Sequence, residues 1–164
     1  MWYPAPHYLQ TMRHTLSKTL VLYRDSPLPA GDCMEAVERV AREFAERACV
    51  LRTDALVASA LQREAEDPTC VGRALAVPHA RVAGLSCAGI YIARMEHAVA
   101  WPVEAVRMVA FIAVPEEAPE MYLQMMAQLV RWWMQECAEY GDSVHIQPMQ
   151  VLTAPLAERM RPSC

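Results

Sequence analysis

The run Val106-Arg107-Met108-Val109-Ala110-Phe111-Ile112-Ala113-Val114 constrains the fold most. It falls far short of the roughly 20 apolar residues that span a bilayer. β-Branched and aromatic side chains fill it, so it reads as a strand, closed by Pro115. A strand that is apolar at nearly every position has no face for water, so it must lie inside a sheet covered on both sides.

The covers are legible as helices. Pro27, Pro29 and Gly31 mark a loop, and Asp32 is placed to cap a helix that starts at Cys33. Val37, Val40, Ala41, Phe44 and Ala48 form its apolar stripe. Thr53 or Asp54 caps a second helix through Leu56, Val57, Ala60 and Leu61 to Arg63-Glu64. Beyond the long strand, Pro119 opens a third helix to about Ala138. Met121, Leu123, Met126, Leu129, Val130, Trp132, Trp133 and Met134 make it apolar nearly all round. Trp132 and Trp133 project about 100° apart, which leaves one of them free to face a partner.

Further strands are expected at Thr19–Tyr23, at Ala74–Val77 (ended by Pro78) and at Ala88–Arg94, with a short edge strand at Val144-His145-Ile146. Pro148–Arg161 reads as a terminal helix interrupted at Pro155, and residues 1–17 as an extended arm or short helix. The order strand, helix pair, three strands, long helix gives an α+β chain: a three-layer α/β/α sandwich around a mixed central sheet.

The 164 residues amount to one domain, 1–164, with 54% hydrophobic and 21% charged residues supporting a single core. A net charge of −4 argues against a nucleic-acid binder, which would carry a basic stripe. The start of the chain has no signal-peptide pattern and no run long enough to enter a membrane, so the expectation is a cytoplasmic protein without membrane insertion. The six cysteines, 33, 49, 70, 87, 137 and 164, show neither metal spacing nor a disulfide pattern. They read as small apolar core residues in a reducing compartment, with Cys70 the one open to oxidation.

The stretch Arg63–Arg81 carries the chemistry. An acidic helix end stopped by Pro68 leads through Cys70 and Gly72 to the strand Ala74–Val77, and His79 follows Pro78. A proline closing a strand puts that imidazole at the mouth of the sheet rather than inside it. By itself a histidine there is as readily a surface residue as a catalyst.

The surrounding pattern resembles the phosphorylation-site signature of the fructose/mannitol-type enzyme IIA domains of the bacterial phosphotransferase system. Glu64, Val71, Gly72, Leu75, Ala76, Val77, Pro78, His79 and Ala80 meet its constrained positions, and the resemblance extends over about residues 19–138. It implies the layered α/β/α fold, and His79 as acceptor of a phosphoryl group from an HPr-type phosphohistidine protein. No cofactor or metal is implied. The family's phosphate-stabilising arginine lies sixteen residues before its histidine, which is Arg63 here. Arg63 is otherwise a helix-end charge pairing with Glu66 or Asp67. Thr69 matches the threonine of the family's Ser-Thr-Gly turn, implying a hydrogen bond to ring or phosphate, although the glycine is replaced by Cys70. Arg81 is either a docking charge or a solvated one.

The family often carries a second histidine, followed by leucine, at the start of its long helix; here that place holds Tyr122. A tyrosine hydroxyl can donate to phosphate but carries no positive charge. In a first helical turn, free backbone N–H groups would also favour the anion. With no sugar-transport domain expected on the chain, the resemblance points to the nitrogen-regulatory branch, PtsN-like, acting on an unknown regulated target. The alternatives are a stand-alone sugar-uptake subunit and a IIA-fold binding module that has lost phosphotransfer. An unrelated hydrolase with His79 as base lacks any nucleophile motif.

Overall fold

The computed structural model describes residues 19–161. Along the chain these form β1 (Leu20–Tyr23), α1 (Cys33–Arg47), α2 (Thr53–Glu66), β2 (Cys70–Gly72), β3 (Leu75–Ala76), β4 (His79–Val82), β5 (Gly89–Ala100), β6 (Ala105–Pro115), α3 (Met121–Tyr140), a 3-10 turn (Gly141–Ile146) and α4 (Met149–Arg159). The arm expected at 1–17 and Cys164 lie outside the described residues.

The apolar run is the central strand β6. One edge pairs antiparallel with β5, which pairs parallel with β1. The other edge takes β3 and then β4, both parallel, and β2 lies antiparallel beyond β3. Strand alternation divides the run between two cores. Val109, Phe111 and Ala113 pack with Val40, Phe44 and Leu56 of α1 and α2. Met108, Ala110, Ile112 and Val114 pack with Met125, Leu129, Trp132 and Leu156 of α3 and α4. The result is the three-layer sandwich with a mixed sheet.

Local chemistry fixes the elements. The Asp32 carboxylate accepts from the Glu35 N–H at 2.8 Å, capping α1 as expected. Gly89 opens β5 where the Phe44 ring presses against the backbone. A Cβ there would lie 2.6 Å from a Phe44 ring carbon, so only glycine fits without displacing the ring.

Several expectations are corrected. Neither Thr53 nor Asp54 caps α2: Arg52 holds that place without a side-chain bond, and Thr53, already helical, donates to the Val50 carbonyl. Residues 144–146 belong to the 3-10 turn instead of an edge strand. Only Val144 is buried there, and Ile146 lies open to solvent, so three apolar-looking residues were too few to fix a period. Helix α4 continues through Pro155, whose missing donor would have served Val151; both residues are exposed, so water can take that carbonyl.

Neither tryptophan is left for a partner. α3 is wedged between the sheet and α4, so both rings are fully buried, with Trp132 donating to the Leu152 carbonyl and Trp133 to that of Arg73. Among the described cysteines only Cys137 is buried; Cys33, Cys70 and Cys87 are half-buried and Cys49 is exposed. Strand β5 runs on to Ala100, six residues past the expected end at Arg94.

Candidate functional site

Pro78 interrupts a strand rather than ending one. Its ring withholds a donor, but its carbonyl still accepts from the Ile112 N–H at 3.0 Å, and pairing with β6 resumes at His79. His79 is therefore the first residue of β4, in register with Ile112, and not a residue beyond the sheet. Ala80 and Val82 of β4 face the α1/α2 core. Alternation turns His79 and Arg81 to the opposite face, toward the start of α3.

There the Tyr122 ring stacks on the imidazole, with centroids 4.0 Å apart and planes 26° apart. The first turn of α3 has no side-chain cap, and the N–H groups of Met121 and Tyr122 are taken by the Ala118 and Pro119 carbonyls. Fewer free donors thus face the site than the sequence led us to expect.

His79 Nδ1 is buried and has no hydrogen-bond partner, although the Val77 carbonyl lies near enough to favour the charged ring. Burial, then the positive charges of Arg63 and Arg81, push the imidazole down to about 4, so the ring is neutral at physiological pH. Tyr122 is pushed up, first by burial and then by Asp67 and Glu64.

Neither Arg63 nor Arg81 forms an ion pair among the described residues, so the pairing of Arg63 with Glu66 or Asp67 is not made. The Arg81 Nε is buried and unpartnered, while its N–H donates to Ser59 Oγ at 3.2 Å. The cluster brings together a neutral imidazole and two guanidinium groups that have no ion pair among the described residues. The Thr69 hydroxyl is already committed: it donates to Glu64 Oε2 at 2.7 Å.

A family model described as "Phosphoenolpyruvate-dependent sugar phosphotransferase system, EIIA 2" matches residues 25–138. The chain belongs to that family. A phosphocarrier role in the phosphotransferase system goes with it. The fold is similar to that of nitrogen regulatory protein IIA-Ntr from Neisseria meningitidis, with a TM-score of 0.66 and 21% identity over 89% of this chain and 99% of that one. It is also similar to the Escherichia coli enzyme IIA-mannitol solved in complex with phosphorylated enzyme IIB-mannitol: TM-score 0.63, 17% identity, 84% of this chain and 100% of that one. At those identities the likeness is one of fold. Over 100 residues the chain is 28% identical to the 2-O-alpha-mannosyl-D-glycerate-specific EIIABC component of Escherichia coli K12, covering 58% of this chain and 15% of that protein. No helix among the described residues of this EIIA chain is long and apolar enough to cross a membrane.

Sequence reasoning missed how the EIIA site is braced. Glu64 was legible as a motif position but not as a buried carboxylate. It is 3% exposed and accepts from the Thr69 N–H at 2.9 Å, the Thr69 hydroxyl and, at 2.7 Å, Trp101 Nε1. Trp101 comes from the turn joining β5 to β6, 37 residues downstream, and no local pattern links the two. The turn between β2 and β3 is held equally firmly. Gly72, Arg73 and Ala74 are successive residues at positive φ, unfavourable for the latter two. The Arg73 carbonyl accepts from Trp133, and that of Ala74 from the N–H groups of Arg107 and Met108.

Proposed function

We propose that this chain accepts a phosphoryl group on His79 from an HPr-type phosphohistidine protein and passes on that state in a regulatory, nitrogen-branch role. One observation carries the reading: the imidazole is held neutral beside two guanidinium groups that have no acid partner among the described residues. With Nδ1 buried, Nε2 is the nitrogen a donor can reach. Its lone pair forms the new N–P bond while the donor's N–P bond breaks, the electron pair of that bond staying on the donor nitrogen. The proton of the neutral ring stays on Nδ1, beside the Val77 carbonyl.

Arg63 and Arg81 meet the charge that arrives. Planar guanidinium groups pair with phosphate oxygens and need no reorganisation at the moment of transfer. Thr69 and Tyr122 offer neutral hydroxyls. A neutral hydrogen bond holds phosphate less tightly than an imidazolium would, by about 1 kcal/mol. A slower or shorter-lived phosphohistidine suits control of a regulated target better than high-flux sugar uptake. The chemistry needs neither cofactor nor metal.

Incubation with phosphoenolpyruvate, enzyme I and HPr-type carriers from the same source is expected to give an acid-labile, alkali-stable adduct that His79→Ala abolishes. An adduct surviving in that variant moves the acceptor elsewhere. Tyr122→His is expected to speed phosphorylation or lengthen the adduct's life. If it does neither, and the wild type transfers as fast as a sugar-pathway subunit, the chain serves sugar uptake. A binding-module reading draws on the Tyr122 ring lying flat over the imidazole. It takes over if no carrier phosphorylates the protein.

A further inference from the structure

A second cationic cluster lies on the same face of the sheet, away from His79. Ile90 and His79 are both in register with Ile112, whereas Arg94 pairs with Met108, four residues along β6 and about 13 Å away. Arg94 shares strand parity with Ile90 and Ile92, which pack against α3. Its Nη2 donates to the Gln147 carbonyl, and its Nε is buried with no partner. His145, two residues before Gln147, places its ring 5.9 Å from that of Trp133, and its Nδ1 is likewise buried and unpartnered. Arg107, beside Met108 on β6, is exposed. The three basic groups act on one another: burial, then Arg107 and Arg94, lower His145, which favours its neutral ring, and Arg94 is lowered by burial and then Arg107.

Several of the chain's other arginines have a carboxylate partner among the described residues. Half-buried Arg24 is paired with Glu43, and surface Arg39 and Arg42 are paired along α1. None of the salt bridges among the described residues includes Arg94 or Arg107. Asp142 acts on His145 but is exposed. The C-terminus of α3 supplies roughly half a negative charge, less than two guanidinium groups require. Arg94 Nη1, Arg107 and His145 Nε2 remain open to a ligand.

We propose that Arg94, Arg107 and His145 form a second anion site, for a phosphate group held across β6 and four residues along it from the proposed phosphoryl acceptor. Two planar forks and an imidazole suit a tetrahedral oxyanion with several acceptor oxygens, either as inorganic phosphate or as the end of a small phosphorylated metabolite. The same helix, α3, carries Tyr122 at one end and borders this cluster at the other.

The test is a titration of the full chain, labelled at histidine, with inorganic phosphate and separately with glycerol 3-phosphate, following the ring resonances of His145 and His79. Saturable movement of His145 is expected with both, undiminished in His79→Ala. Exposed Arg107→Ala should fold normally and weaken binding at His145 about tenfold, the loss of one charge-assisted bond. Tighter saturation by glycerol 3-phosphate identifies a metabolite, and equal saturation identifies the phosphate group alone. Movement at His79 with His145 still, or a His145 response unchanged in Arg107→Ala, overturns the proposal.

Discussion

The burial of His79 makes a quantitative prediction about protons. Moving an imidazole from 6.5 to about 4 disfavours its charged form by about 3 kcal/mol. Solvent reaches the half-buried ring, so about 2 kcal/mol is the better figure. Between pH 6.5 and 4 the unfolded chain binds a proton at this position that the folded chain refuses. Its stability is therefore complete above 6.5 and declines as pH falls toward 4. His145 is lowered in the same sense and adds to the trend, so the comparison must be with His79→Gln. Urea unfolding of both proteins across this window should show the wild type losing about 2 kcal/mol more than the variant. The His79 ring resonance should titrate near 4, and Arg63→Ala should raise its midpoint. A midpoint at or above 6.5, or equal losses in both proteins, would refute the account of a buried ring under two positive charges.

Arg63→Ala and Arg81→Ala should each slow phosphoryl transfer about 10- to 100-fold by removing a charge-assisted bond, while shifting unfolding by less than about 1 kcal/mol; rapid-quench transfer and thermal melts check the two halves. Glu64→Gln puts an amide N–H against donors that the carboxylate now accepts, and should destabilise by about 2 kcal/mol, read as a lower urea midpoint at unchanged slope. Gly89→Ala drives a methyl into the Phe44 ring, itself 5.6 Å from Phe111, and should destabilise by about 1 to 3 kcal/mol in the same assay.

The layers were legible because Val106–Val114 admits no water on either face, and because the stripe from Val37 to Ala48 has one period only. The place of His79 was misread because Pro78 was weighed for the donor it lacks and not for the carbonyl it keeps. Tyr122 was expected to offer its hydroxyl; that its ring stacks on the imidazole depends on how α3 docks, which no local pattern encodes. Arg94, Arg107 and His145 are scattered over 52 positions (145 − 94 = 51 apart, counted inclusively) and meet only through strand pairing and the turn after α3. Glu64 and Trp101 are joined in the same non-local way. Long-range partners of this kind are set by topology.

The two walls of the proposed phosphoryl site are built differently. His79 is bonded into the ladder of the central strand, so freeing its backbone requires β4 to part from β6. Tyr122 rides on the first turn of α3, which has no side-chain cap but whose Met121 and Tyr122 N–H groups are bonded and whose Met121 is buried. The imidazole thus stands on strand backbone and its aromatic cover on a helix. On the proposed role, a donor protein must reach the imidazole past the stacked Tyr122 ring.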